Sequence, residues 1–291
     1  MLPKLRSRLA FLLLLPAICL PGLRAEGGSG CVWKITGPAG GTIYIGGSIH
    51  SLRSTDYPLP PGYNRAFEAS TRIALEVDPK ALEGSSAGLM KAGKYPNSDS
   101  LKNHVDPRTY DYLRRLFGLL KIPEAKFSRY RPWCLVLLLD SPGTQGFSDD
   151  LGVDEFITNR ARANGKTIVG MESADEHSSV FSGLSEKQSE ALLLVSLIPA
   201  GNNAGGNDQT LSAWRRGDVE TLARSTRAAY ADFPAFADRI LGARNRRWAP
   251  KLESYLKSGQ TYFVVVGAAH LGGGDGLLAM LRARNCKLEQ L

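Results

Sequence analysis

Apolar and polar positions change period several times along this chain, and the two clearest stretches are short apolar runs that end on a histidine. Residues 42–45, Thr-Ile-Tyr-Ile, are β-branched or aromatic and predict a buried strand; Gly46, Gly47 and Ser48 then turn the backbone toward His50. Residues 261–270, TYFVVVGAAH, repeat the device: an apolar strand, Gly267, two small residues and His270. A glycine followed three residues later by histidine therefore closes two strands. Small residues let a backbone approach a ligand closely, and a neutral imidazole binds a metal, relays a proton or accepts a hydrogen bond.

The remaining pattern fills in the frame around these runs. Residues 32–36 predict a strand, 37–41 a hairpin turn and 42–46 its antiparallel partner. Residues 51–61, with Pro58, Pro60 and Pro61, predict a loop beside His50, followed by a short helix over 62–69. On the strand 72–78, RIALEVD, side chains alternate, so Glu76 and Asp78 share a face. From 81 to 130 the texture is helical, with Asp106 capping and Pro107 opening an amphipathic helix to about Leu120.

Residues 132–139 predict a buried helix, and 152–164 a helix ended by Gly165. A strand over 166–170 then delivers Met171 and Glu172. Ser185 and Gln188 form a capping box for a helix reaching Leu197, and 202–207 is a Gly/Asn-rich loop. Helices fill 210–256, with breaks expected near Gly217, Pro234 and Pro250. After His270 come a glycine-rich turn at 272–276, a helix to Arg284 and a strand from Cys286. Strands frame the chain, and helices occupy its middle, about 81–260, around the strand near 166–170. The pattern predicts an α/β fold: one domain over 26–291 with a mixed central β-sheet, flanking helices, a largely helical middle insertion and two pseudo-repeated GxxH half-sites.

The first 25 residues stand apart. Lys4, Arg6 and Arg8 precede an apolar run over 9–20 that is shorter than the roughly 20 residues of a bilayer-spanning helix, and Leu23-Arg24-Ala25 offers a cleavage site. This is the layout of a signal peptide and predicts a periplasmic or secreted protein, with no stable membrane span once it is removed. The formal charge of +8 owes four of its basic residues, Lys4, Arg6, Arg8 and Arg24, to that leader, and no aromatic-basic ladder suggests nucleic acid. The basic cluster Arg239, Arg244, Arg246 and Arg247 reads as a solvated helix face. Beyond the leader, Cys31, Cys134 and Cys286 are too few for a disulfide framework, though Cys31 and Cys286 could pair in an exported protein.

His50, Glu76, Glu172 and His270 each fall at or just after the end of a predicted strand. If those strands run parallel, all four meet at the carboxyl edge of the sheet, where open α/β sheets bind ligands. Two imidazoles and a carboxylate, His50, Glu76 and His270, make a divalent-metal set, with Glu172 as a second carboxylate able to take a proton; the ion would be manganese, cobalt or zinc. The same residues work without a metal, with a histidine or glutamate activating water directly. His104 and His177 lie in polar contexts and read as surface residues. Ser48 invites a nucleophile reading, but GxSxG is absent. The glycines at 272–274 match no nucleotide motif and read as a tight turn.

Taken in order, Trp33-Lys34, the strand into GSIH, YPLPPGYNRAFEAS, LEVDP, GVDEFI, the GME turn, RNRRW and VVVGAAHLGGGDG resemble the TraB/GumN family. The resemblance implies a mixed α/β fold built on two GxxH half-sites, with the paired motif at Gly47 and His50 and at Gly267 and His270, and the family's acidic position at Glu76. It adds Asp154, Arg244 and Asn245, with Ser48 where the family commonly has threonine, as substrate-binding candidates. It implies a metal-dependent, peptidase-like hydrolase acting on a peptide or small molecule. The alternatives are a non-catalytic ligand-binding or signalling protein of the cell envelope, polysaccharide-related or haem-binding, and a metal-free esterase-like hydrolase.

Overall fold

The computed structural model describes residues 30–139, 147–197 and 206–291. The leader over 1–25 and most of the predicted Gly/Asn-rich loop lie outside the described residues. Six strands, β1 (Val32–Thr36), β2 (Thr42–Ser48), β3 (Arg72–Val77), β4 (Thr167–Glu172), β5 (Tyr262–Gly267) and β6 (Lys287–Gln290), form one mixed sheet in the order β4-β3-β5-β2-β1-β6. β2, β5, β3 and β4 are mutually parallel, while β1 runs antiparallel to both of its neighbours. The hairpin predicted between the first two strands is present, and all four expected strand ends meet at one edge of the sheet.

Burial follows strand position. The central strand β5 is buried from Tyr262 to Val266 without alternation, as expected where helices cover both faces of a parallel sheet. Edge strand β6 is largely exposed.

Twelve α-helices are described: α1 (Pro61–Ala69), α2 (Pro79–Ala92), α3 (Pro107–Leu119), α4 (Pro132–Leu139), α5 (Val153–Ala163), α6 (Ala174–Ser182), α7 (Glu186–Leu197), α8 (Gly206–Arg216), α9 (Val219–Ala229), α10 (Pro234–Ala237), α11 (Ala243–Lys257) and α12 (Leu277–Arg282). Their starts follow local chemistry. Asp78 caps α2 by accepting from Lys80 N, Asp106 caps α3 by accepting from Arg108 N, and Asp218 caps α9 by accepting from Thr221 N. The predicted box at Ser185 and Gln188 forms at the start of α7.

Two cores result. The larger surrounds the sheet, and a smaller one lies in the helical insertion, where Tyr110, Leu113 and Phe117 of α3 meet Tyr95, Phe127, Leu135 and Leu193. Cys31, Cys134 and Cys286 are all buried free thiols.

Two expectations change, and one turn takes a form that the sequence did not announce. α11 runs through Pro250 instead of breaking there. Proline removes one helical donor, but Pro250 and Arg246, whose carbonyl loses its partner, both face solvent. A single π-helical turn, Asp238–Gly242, joins α10 to α11 and sets the rotation of α11. Finally, β4 extends to Glu172, and α6 follows at once, with Ser173 and Glu176 forming a capping box, so the polar stretch around His177 is helical.

Candidate functional site

The first half-site is pinned by backbone. Gly47 N donates to Cys31 O at 2.7 Å, and Gly47 O accepts from Trp214 Nε1 at 2.8 Å and from the Tyr63 hydroxyl. A Cβ on Gly47 would sit 2.8 Å from the Ala268 Cβ, so the glycine lets the two GxxH segments touch. Just beyond, Val153 N donates to Ile49 O at 3.0 Å, and a Cβ on Gly152 would sit 2.1 Å from His50 O. The start of α5 therefore lies against the backbone of His50, with Asp154 in its first turn.

His50 is open to solvent, its side chain 74% exposed, with Nδ1 3.0 Å from Asp154 Oδ2. Asp154, seconded by Glu76, pushes the imidazole pKa up to about 9 against the effect of its surroundings, so His50 carries a proton at neutral pH. Ser48, buried beside it, has no hydrogen-bond partner for Oγ among the described residues.

His270 has the opposite character. Asn245 Nδ2 donates to His270 O at 3.1 Å and to Asp275 O at 2.9 Å, which turns Asn245 Oδ1 toward His270 Nδ1 at 2.7 Å. Nδ1 must therefore carry the ring proton, and Nε2 presents its lone pair. That lone pair lies 3.2 Å from Arg244 Nη1, and Nε2 is 3.7 Å from Glu76 Oε1. Burial, helped by Arg244 and opposed by Glu76, lowers the His270 pKa to about 4, so the ring is neutral at pH 7.

Arg244 joins the carboxylates. Its Nη2 donates to Glu76 and to Glu172, and its Nε lies 3.1 and 3.2 Å from the two Glu172 oxygens. Glu76 Oε1 also accepts from Gly267 N at 2.7 Å, which ties β3 to the second motif. Burial alone would raise the Glu76 pKa; Arg244, both motif histidines and the Gly267 amide reverse this and hold the carboxyl well below the usual range. Glu172 is also depressed: burial opposes ionisation, but His177 and Arg244 more than offset it. Arg247 adds a second cation, 3.6 Å from Glu172 Oε2.

The sequence reading missed one member, His177, and reached Arg244 only through the family resemblance. His177, expected at the surface, places Nδ1 2.8 Å from Glu172 Oε1 and 3.3 Å from Arg244 Nη2. The signal was available: the Ser173 and Glu176 capping box starts a helix whose first turn carries His177 back over the end of β4. Arg244, expected on a solvated face, is buried. Its spacing to Trp248 and Leu252, four residues at each step, marks the inward stripe of α11. His104 is also no free surface residue, since its Nε2 meets Asp99 at 2.6 Å and its ring stacks on Tyr95.

Glu76, Glu172 and His177 each offer an atom within 4.8 Å of the others, a cluster that could hold a metal ion. Two carboxylates and an imidazole fit a divalent cation in donor type. Glu76 belongs to the set expected from sequence, whereas His50 directs Nδ1 to Asp154. Arg244 lies across the same carboxylate oxygens, so an ion and the guanidinium compete for them. The glycine-rich turn holds no comparable vacancy: Gly273 N donates to the Glu220 carboxylate of α9 at 3.0 Å.

A family model described as TraB/PrgY/gumN matches residues 31–290. The chain belongs to the TraB/PrgY/gumN family. No curated protein and no solved structure matches it. In this member of the TraB/PrgY/gumN family, both GxxH histidines, Glu76, Glu172 and Arg244 gather at one sheet edge. Among the described residues no helix is long and apolar enough to cross a membrane.

Proposed function

We propose that this chain is an exported hydrolase, most readily a peptidase-like one acting in the periplasm or outside the cell, whose centre is His50, Glu76, Glu172, Arg244 and His270. The observation that carries the reading is the different setting of the two motif histidines: His270 gives Nδ1–H to Asn245 and holds Nε2 3.7 Å from Glu76 Oε1, whereas His50 sets Nδ1 3.0 Å from Asp154, and these surroundings push the two imidazole pKa values in opposite directions. Environments that drive two titratable groups apart in this way divide acid from base work. His270 Nε2 accepts the proton of an attacking water as its oxygen bonds to the substrate carbonyl carbon. His50 gives its proton to the departing amine or alcohol as the carbon–heteroatom bond breaks. Glu76, whose Oε1 is 3.7 Å from His270 Nε2, stabilises the imidazolium formed there. Ser48, Asp154 and Asn245 shape the approach and hold the two rings.

A divalent ion, manganese, cobalt or zinc, belongs to this reading, with Glu76, Glu172 and His177 as its holders. When bound, such an ion polarises a carbonyl and makes water more acidic. The presence of Arg244 across both carboxylates favours a second, metal-free reading, in which the guanidinium supplies the positive charge. Elemental analysis of the purified full chain separates them. Stoichiometric metal that is lost in a Glu172→Gln, His177→Ala variant supports the ion. Chelator-insensitive hydrolysis that disappears in His50→Ala supports the metal-free centre. Hydrolysis unaffected by His50→Ala and by His270→Ala removes both.

A further inference from the structure

Between α7 and α10 the structure holds a cavity of about 340 Å³. That volume sits at the small end of the roughly 300–1,000 Å³ typical of small-molecule sites. Leu184, Gln188 and Leu192, which follow one another at four-residue spacing, supply one wall, and Phe233, Pro234 and Phe236 supply the other. Phe236 is held between two rings, Phe181 at 6.0 Å and Tyr230 at 5.0 Å between centroids. Leu192 and Phe236 are both buried, yet neither belongs to the two hydrophobic cores. Their apolar surface lines the cavity instead.

Two charged side chains share this lining, Arg239 and Asp232, and neither enters an ion pair among the described residues. Arg239 stands in the π-helical turn, where its Nη2 donates to Ser179 O and its Nε is buried without an acceptor. The carboxylate next to it in sequence is already committed, since Asp238 pairs with Arg246 at 2.8 Å. Gln188 spends Oε1 on Ser185 N at 3.0 Å and keeps its Nε2 donors unused among the described residues. A guanidinium with spare donors selects a carboxylate, and a carboxylate without a partner selects an ammonium. A simple acid would meet like charge at Asp232, and a simple amine would meet it at Arg239; a ligand that carries both groups avoids either penalty.

We propose that this cavity binds an α-amino acid zwitterion with an apolar side chain. The carboxylate meets Arg239 and Gln188, the ammonium meets Asp232, and the side chain lies against Leu192 and Phe236. None of these residues belongs to the centre at the sheet edge, and the inference does not rest on the hydrolytic reading.

The test is calorimetric titration of the full chain with L-phenylalanine and L-leucine. Saturable binding is expected, with 3-phenylpropionate, phenethylamine and glycine each at least about tenfold weaker, because each lacks one of the three matched groups. Arg239→Gln and Asp232→Asn should weaken L-phenylalanine by a similar factor. Asp232 is exposed and unpaired, so Asp232→Asn should keep the circular dichroism and unfolding midpoint of the parent chain. Ala235→Trp, at an exposed position of the lining, should block the cavity without touching either charge. His50→Ala should bind as the parent does. No saturable binding of either amino acid overturns the proposal. So does equal binding of 3-phenylpropionate or phenethylamine, binding unchanged in both Asp232→Asn and Ala235→Trp, or binding lost in His50→Ala, which would place the ligand at the sheet edge.

Discussion

His270 gives its Nδ1 proton to Asn245 Oδ1 across 2.7 Å, and this one bond decides which ring nitrogen faces the site. Asn245 is fully buried, and its amide nitrogen is committed to two backbone carbonyls, so it cannot turn round to accept that bond elsewhere. Asn245→Ala should therefore free the tautomer and leave polar groups unpaired, lowering stability by about 1–3 kcal/mol. Asn245→Asp should instead place a carboxylate on Nδ1 and move the His270 pKa upward toward neutrality. Nitrogen NMR of the imidazole through a pH titration reads both effects; an unchanged ring titration in Asn245→Asp would contradict the assignment.

Removing Arg244 should leave Glu76 and Glu172 buried without their main partner. Arg244→Met is expected to cost about 3–5 kcal/mol at pH 7, the usual penalty for breaking a buried charge pair from one side. Adding Glu172→Gln should return part of that loss, because one uncompensated carboxylate is gone. Urea unfolding of both variants measures this, and a double variant less stable than the single one would show that the coupling is misread.

The two histidines should tilt the stability curve in opposite senses. Between about pH 6.5, the ordinary histidine value, and about pH 4, the unfolded chain binds a proton that native His270 refuses, so stability falls as acid is added. The depressed carboxyls of Glu76 and Glu172 deepen that loss below about pH 4.3, their ordinary value. His50 works the other way: its contribution is complete below about pH 6.5 and is lost as pH rises through about 9. A stability maximum near pH 6 to 7 is expected, and His50→Gln should flatten the alkaline side, with a smaller change on the acid side because His50 helps to keep Glu76 ionised. Urea midpoints across pH in which His50→Gln leaves the alkaline limb untouched would refute this.

Gly47 and Gly274 make a matched pair of tests. Gly47→Ala forces a methyl to within 2.8 Å of the Ala268 Cβ and should cost about 1–3 kcal/mol as the half-sites separate. A Cβ on Gly274 meets nothing within 4 Å, so Gly274→Ala should change stability by no more than about 0.5 kcal/mol. Comparable losses at both positions would mean that the contact between the motifs is not what Gly47 provides.

Much of this arrangement was legible in the chain because local chemistry and tertiary need agree. Uninterrupted apolar runs predicted the buried strands, and Asp106 and the Ser185 box predicted helix starts that formed. The parallel run of β2, β3, β4 and β5 stood only as a condition in the sequence; the structure meets it, and with it the shared edge for His50, Glu76, Glu172 and His270. What the residue pattern alone did not carry depended on rotation about an axis, although the family resemblance had named Arg244 as a substrate-binding candidate. Arg244 reaches the site because a π turn precedes α11 and its Trp248 stripe faces inward, and a run of four basic or polar residues hides that stripe. His177 was lost with α6, whose short polar sequence forms a helix through its cap more than through periodicity. Pro250 misled because its cost falls when the orphaned carbonyl is open to water.

The account stands most directly on whether the two-histidine edge hydrolyses anything. Full chain incubated in 18O-enriched water with peptide and ester libraries, with and without manganese, cobalt and zinc, can be read by mass spectrometry. Products carrying one 18O in the new carboxyl group, absent with His50→Ala and with His270→Ala, are the expected result. No product under any of these conditions, or the same yield from either variant, would contradict it.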